Sequence, residues 1–131
     1  VMGELNKIDA DQLEKIRCDF KAAMVAAAQI FRPRYAFRKV YDKNHKRKPL
    51  NKALFEVWSV SLSKLTDTER DVLAEQKELI LQEFMAALNN DPVFEKSIST
   101  GTGEKRNVIK RFETIQGIIK KALGYDSIST H

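Results

Sequence analysis

Cysteine, histidine, glycine and proline are all scarce in this chain, and each scarcity excludes something. Cys18 is the only cysteine in 131 residues. No internal disulfide can form and a cysteine-rich zinc site is ruled out; such usage suits a reducing, cytoplasmic compartment. His45 and His131 are the only histidines, so neither a paired-histidine metal site nor a base beside Cys18 can be recognised. Five glycines and three prolines leave few places for tight turns and favour long regular elements. No apolar run approaches the roughly 20 residues that span a bilayer. The longest, Ala22 to Phe31, is alanine-rich and interrupted by Gln29. No signal peptide stands at the start, where Glu4 and Lys7 precede a polar stretch. A membrane partner is not expected. The first residue is Val1, which suits a piece excised from a longer protein.

What is present points to one soluble helical domain covering residues 1–131. The composition is 43% hydrophobic and 31% charged, and a chain this long buries roughly two-thirds of its unfolded surface. Net charge is +5, but it is concentrated: eight basic residues stand against Asp42 between Arg32 and Lys48, leaving the remainder close to −2. Local positive charge suits an anionic partner better than a uniformly basic surface does.

Apolar spacing predicts four principal helices. Asp9 and Asp11 suit a helix start, and Leu13, Ile16, Phe20, Met24, Ala27 and Phe31 form one stripe to about residue 31, read as core packing. Arg32-Pro33 should end that helix. Pro49 suits the first turn of a second helix over about 50–64, where Leu54, Phe55, Val57, Trp58, Val60 and Leu62 go most of the way round the wheel. That pattern predicts a central apolar helix of an irregular bundle. Its serines, at 59, 61 and 63, are small enough for helix contacts with their hydroxyls on the backbone. Thr66 and Glu69 form a capping box opening a third helix to about Leu88, with Glu69, Arg70, Glu75, Lys77, Glu78 and Gln82 on its solvated face. Val93 to Lys96 adds a turn. A fourth helix from Glu104 carries Val108, Phe112, Ile115, Ile119 and Ala122, widened by Ile109, Ile118 and Leu123, and ends at Gly124.

Two connections carry the candidate chemistry. From Arg34 to Lys48, cations alternate with Tyr35, Phe37 and Tyr41, a combination suited to phosphate contact and base stacking. The segment is read as an irregular loop or a short hairpin. Lys46, Arg47 and Lys48 directly precede a helix start, whose dipole adds to their charge. The competing reading is that the rings cap the core while the cations stay solvated. The second connection, Ser99 to Arg106, places Gly101, Thr102 and Gly103 before a helix whose first turn holds Lys105 and Arg106, as an anion nest would. It is neither a P-loop nor GxGxxG, and a flexible linker ending in a cap is the competing reading. Lys110 and Arg111 would extend the basic face of that helix. Candidate anion-binding residues are therefore Arg38, Lys39, Lys43, Lys46, Arg47, Lys48, Lys52, Gly101, Thr102, Lys105 and Arg106. Glu56 is the carboxylate expected to be partly buried, paired with Arg38 or Lys52. No catalytic arrangement, metal site or cofactor motif is recognisable.

Phe37-Arg38-Lys39, followed by the run from Arg47-Lys48-Pro49 to Glu56-Val57-Trp58, resembles the C-terminal part of the domain-of-unknown-function 262 family. Ser97 to Gly103 and the basic helix after it are also similar to that family's tail, so the resemblance covers about Phe20 to Leu123. The family is similar to GmrSD-type proteins of DNA restriction and antiphage defence. Their ParB-like N-terminal domain carries an Asp-Gly-Gln-Gln-Arg motif, and some members add an HNH nuclease domain. Neither pattern occurs here. The resemblance implies a non-catalytic helical domain of a nucleotide-dependent, nuclease-type parent, contributing phosphate contacts to DNA through its basic loop. The alternatives are a module docking onto the parent's N-terminal domain or another subunit, a small enzyme using Glu56, and a domain with no activity of its own.

Overall fold

Apolar residues recurring every three or four positions wind the chain into helices, and capping side chains set most of the breaks. The structure, a computed structural model, describes residues 2–41 and 48–124. Its helices are α1 (Met2–Tyr35), α2 (Lys52–Ser63), α3 (Asp67–Glu75), α4 (Lys77–Asn90), α5 (Pro92–Ser97) and α6 (Lys105–Leu123). Among the described residues there is no strand, and one isolated antiparallel bridge joins Arg38 to Leu50. The class is all-α, a helical bundle, and no helix of the described residues is long and apolar enough to cross a membrane.

The caps follow side-chain chemistry closely. Thr66 and Glu69 form the expected box: Glu69 N donates to Thr66 Oγ1 at 3.1 Å, and Thr66 N donates to Glu69 Oε1 at 2.9 Å. Asp91 accepts from Phe94 N at 3.1 Å with Pro92 at the start of α5, and Gly124 closes α6 in the left-handed region at φ 83. The start of α2 corrects the sequence reading. Its cap is Asn51, whose Oδ1 accepts from Leu54 N at 2.9 Å, and Pro49 lies outside the helix. An amide oxygen can satisfy a free N–H of the first turn, whereas proline only tolerates lacking one. The helix expected over 66–88 is also two. Gln76 leaves helical geometry at φ −97, ψ 24 and separates α3 from α4; since glutamine favours helix, tertiary packing decides this break. In α1 the break falls at Arg32, with φ 60 and ψ 163 ahead of Pro33, and one more turn follows to Tyr35.

Four rings from four helices meet in the core. Phe31 of α1 lies edge-on to Trp58 of α2 at 4.8 Å and to Phe84 of α4 at 5.9 Å. Trp58 meets Phe84 at 5.8 Å, and Phe84 meets Phe94 of α5 at 6.4 Å. Ala23, Ala26 and Ala27 of α1 and Ile115, Ile119 and Ala122 of α6 are buried around them. On α2, Leu54, Val57, Trp58 and Leu62 are buried as expected, but Phe55 stays 39% exposed and Lys52 and Glu56 are exposed, so one side of α2 is open. Ser59 and Ser63 bond back to the carbonyls of Phe55 and Val60.

Several side chains expected in the core lie on the surface, and two expected on the surface are buried. Leu13, Ile16 and Phe20, read as core, are 57%, 60% and 44% exposed, and Ile109 of α6 is also exposed. Conversely, Arg70 and Arg111, read as solvated, are buried. Both arginines satisfy main-chain carbonyls that would otherwise be buried without donors. Arg70 Nη1 donates to Leu62 O at 2.9 Å and Leu65 O at 2.6 Å, while Nη2 reaches Asp67 Oδ1 at 2.6 Å. This guanidinium fixes the turn from α2 into α3. Arg70→Ala should therefore cost about 2–3 kcal/mol, seen in urea unfolding as a lower midpoint with an unchanged m-value. Arg70→Lys should recover only part of it, because an ammonium lacks the fork that serves both carbonyls.

Candidate functional site

The long basic loop is pinched where it leaves and rejoins the bundle. Asn51 N donates to Phe37 O at 2.8 Å, and Arg38 Nη1 donates to Lys48 O at 2.6 Å, across the Arg38–Leu50 bridge. Phe37 sits at φ 59, and its ring is edge-on to Phe55 at 4.9 Å, so an aromatic of the loop does cap the core. Residues 42–47, and with them the candidates Lys43, Lys46 and Arg47, lie outside the described residues.

This pinched base packs on the end of α5 and on the Gly-Thr loop, so the two candidate connections are neighbours in space. Lys39 Nζ donates to Glu95 Oε2 at 3.1 Å and to Ser99 Oγ at 2.5 Å. Tyr41 Oη donates to Glu95 Oε2 at 2.7 Å, and Asn51 Nδ2 donates to Ile98 O at 2.9 Å. Spacing along the chain could not reveal this, because partners such as Lys39 and Glu95 are 56 residues apart.

Much of the positive charge gathered here is already matched. Lys39 pairs with Glu95, Lys110 with Asp91 at 2.9 Å, and Arg106 with Glu104 at 3.1 Å. Arg111 corrects two expectations together. It is buried and donates to Ser97 O at 3.2 Å and Thr102 O at 2.7 Å, and its Nη2 stands 3.6 Å from Glu56 Oε1. Glu56 thus pairs with a residue of α6, not with Arg38 or Lys52, and its side chain is 53% exposed. A long guanidinium reaches across helices where sequence neighbours cannot. Lys48, Lys52 and Lys105 are exposed, and Lys48 Nζ stands 6.0 Å from the centre of the Tyr41 ring.

The Gly-Thr loop is held by its own carbonyls. Asn107 Nδ2 donates to Gly101 O at 2.8 Å, and Arg111 takes Thr102 O. Gly101 requires glycine: at φ +58, an added Cβ would meet Glu104 Oε1 at 3.1 Å and Asn107 Nδ2 at 3.3 Å. A carboxylate therefore faces Gly101, and the loop resembles a self-neutralised connection more than a bare anion nest. Gly103 has open space around it.

Glu95 is the electrostatic pivot of the junction. Hydrogen bonds from Tyr41, then Ser99, then Lys39 hold its carboxyl below the usual range. Burial, reinforced by the Glu95 charge, pushes the Tyr41 phenol up to about 12, so Tyr41 remains a neutral donor throughout the neutral range. Asp91 is likewise lowered, chiefly by its bond from Lys110.

A second surface has a different character. Ile16, Asp19 and Phe20 of α1 face Lys52, Phe55, Glu56, Ser59, Val60 and Ser63 of α2 across an open groove of about 440 Å³. Phe20 and Phe55 meet across it at 6.1 Å. Sequence reasoning missed this groove by assigning the whole α1 stripe to the core. The signal available was spacing. Leu13, Ile16, Phe20, Ala23, Ala27 and Ile30 alternate three- and four-residue steps, as a helix seam does, and only the last three are buried.

No family model, no curated protein and no solved structure matches the chain, so the geometry of these two surfaces is what bears on function. For the junction, the sign of its pH response follows from Glu95. A carboxyl depressed in the folded state contributes stability that is fully present above its unfolded pKa, near 4.3, and is lost as pH falls through the lower folded value. Glu95→Gln should flatten that part of the acid limb in urea-unfolding free energies measured across the range, and leave the response above about pH 6 unchanged.

Proposed function

We propose that this chain is a non-catalytic interaction module that docks an apolar-faced helix along the seam between α1 and α2. One observation carries the reading: the α1 stripe that fills the core at Ala23, Ala27 and Ile30 continues in register to Phe20, Ile16 and Leu13, where it is exposed beside a half-exposed Phe55. Scattered surface apolars are ordinary, but a contiguous stripe bordering a groove with a polar rim is the pattern of an interaction site. The likeness to the C-terminal region of multidomain defence proteins fits a part whose role is to hold other parts together.

A second reading has its own support. Lys39–Ser99 and Asn51–Ile98 bring the base of the basic loop against the Gly-Thr loop, with exposed Lys48 and Lys52 close in sequence to the first and Lys105 to the second. Such a junction could contribute phosphate contacts to DNA. In that case affinity for duplex DNA should fall linearly with salt on logarithmic axes, and Lys48→Ala with Lys52→Ala should reduce the slope by about two. Fluorescence anisotropy measures both, and absence of binding at low salt would discard this second reading.

The docking reading is tested with a probe helix. Nitrogen-15-labelled protein, kept dilute, is titrated with a synthetic amphipathic peptide of leucine and lysine, against a scrambled peptide of the same composition. Amide shifts should concentrate around Ile16, Phe20, Phe55 and Val60. Phe20→Glu should weaken binding by about tenfold or more, since burying one aromatic side chain contributes some 1.5–3 kcal/mol. Shifts scattered over the surface, or equal for the scrambled peptide, would remove the reading.

A further inference from the structure

We infer that Lys39, Tyr41 and Ser99 form a site for the phosphate group of a monoester, which Glu95 fills and masks in the free protein; this rests on the phosphate-contact reading above and narrows it. Three side-chain donors, from two segments far apart in the chain, meet at a single atom. Glu95 Oε2 accepts from Tyr41 Oη at 2.7 Å, Ser99 Oγ at 2.9 Å and Lys39 Nζ at 3.1 Å. A carboxylate spreads about four lone-pair sites over its two oxygens, so three donors on one oxygen are more than it serves well. A phosphate monoester offers an acceptor oxygen to each of the three donors, with a charge of about −1.5 to −2. The cations agree with that charge. Besides Lys39, the exposed Lys48 borders the site, its Nζ 6.0 Å from the centre of the Tyr41 ring, so two ammonium groups stand beside one carboxylate.

The donors keep their places without the carboxylate. Tyr41 O accepts from Asn89 Nδ2 at 2.9 Å, which ties this end of the loop to α4. Ser99 Oγ also reaches the main-chain oxygen of Glu95, at 2.7 Å. Lys39 lies between Arg38, bonded to Lys48 O at 2.6 Å, and the buried Val40. The fold thus builds the site and one side chain plugs it. The Glu95 side chain is 31% exposed, so a change of rotamer carries its carboxylate into water while α5 stays in place. Asp91, the other acid at this end of α5, is held by Lys110 at 2.9 Å and does not compete for Lys39. Because Glu95 is tethered beside its donors, an outside phosphate binds the wild type only weakly, and removing the plug reveals the site's affinity.

The full chain, labelled with nitrogen-15 and carbon-13, is titrated with inorganic phosphate at constant ionic strength. Glu95→Ala should bind about tenfold or more tightly than wild type, since charge-assisted bonds are freed for the ligand, with amide shifts centred on Lys39, Tyr41 and Ser99. Glu75→Ala, which removes an exposed acid of α3 and so changes the net charge equally, should match wild type. Lys39→Met added to Glu95→Ala should erase the gain. In wild type, the side-chain carboxyl carbon signal of Glu95 should move toward that of a solvated glutamate as phosphate saturates. Where circular dichroism shows Glu95→Ala unfolded, Glu95→Gln takes its place with the same expectations. A folded variant that ignores phosphate, an equal gain in Glu75→Ala, a gain that survives Lys39→Met, or saturation with the Glu95 signal unmoved would each overturn the site. Duplex DNA with phosphorylated or hydroxyl ends then identifies the source. Preference for the phosphorylated end assigns the site to a nucleic-acid terminus, and phosphate binding without that preference assigns it to a small phosphate ester. If wild type ignores DNA while Glu95→Ala binds phosphate, the DNA reading falls and the site stands. If wild type binds both duplexes alike and Glu95→Ala gains nothing with either DNA or phosphate, the site falls and the DNA reading stands.

Discussion

The bundle depends on four rings set edge to face, Phe31, Trp58, Phe84 and Phe94, each from a different helix. Edge-on aromatic pairs contribute about 0.5–1.5 kcal/mol beyond the area they bury, and their geometry is more directional than that of aliphatic contacts. Trp58 touches both Phe31 and Phe84, so the placement of α2 against α1 and α4 is set at one point. The alanines of α1 follow from it: a ring cluster this large leaves room beside it only for small side chains, and Ala23, Ala26 and Ala27 are all buried. The same packing leaves α1 too long for its bundle. Beyond Ala23 only the half-exposed Phe55 meets the helix, at Phe20, and the apolar stripe runs out into the open.

Arginine does for the connections what the rings do for the helices. Arg70 serves the carbonyls at the end of α2, and Arg111 serves those of Ser97 and Thr102 on either side of the Gly-Thr loop. Each buried guanidinium is tolerated because its Nη1 serves two carbonyls and its charge faces a carboxylate, although Arg111 Nε is buried without a partner. The consequence for function is a subtraction. Cations spent on carbonyls or on Glu95, Asp91 and Glu104 offer little to a phosphate, which leaves the exposed Lys48, Lys52 and Lys105 among the described candidates.

The all-α class, the capping box, the turn after Pro92 and the Gly124 cap were legible because each rests on interactions within a few residues. Periodicity also located nearly every helix. What it could not do was tell a stripe facing the chain's own core from one facing outward, since Leu13 and Ala27 obey the same spacing. It could not separate solvated from buried arginines either: Arg70 lies among acids and Arg111 among lysines, and only the carbonyls they meet, up to 14 residues away, reveal their task. The candidate cations divide in the same way. Arg38 and Lys39 proved to be internal fastenings through partners on Lys48 and Glu95, while the adjacency of the two loops required the fold itself.

An apolar stripe left open at one end of a long helix has an energetic direction. Exposed, Leu13 and Ile16 forgo about 25 cal/mol for every Å² of apolar surface still in water, and Phe20 recovers part of that loss only through its contact with Phe55. Their replacement by polar residues would leave the aromatic cluster untouched, since none of the three reaches it. Folding of the bundle therefore does not explain the stripe's continuation past Ala23. The proposed docking role would, because the seam between α1 and α2 offers aligned apolar side chains, small Ser59 and Ser63 beside them, and charged groups at its edge. On that proposal the bundle is the mount, and the projecting half of α1 is the part that it holds out for recognition.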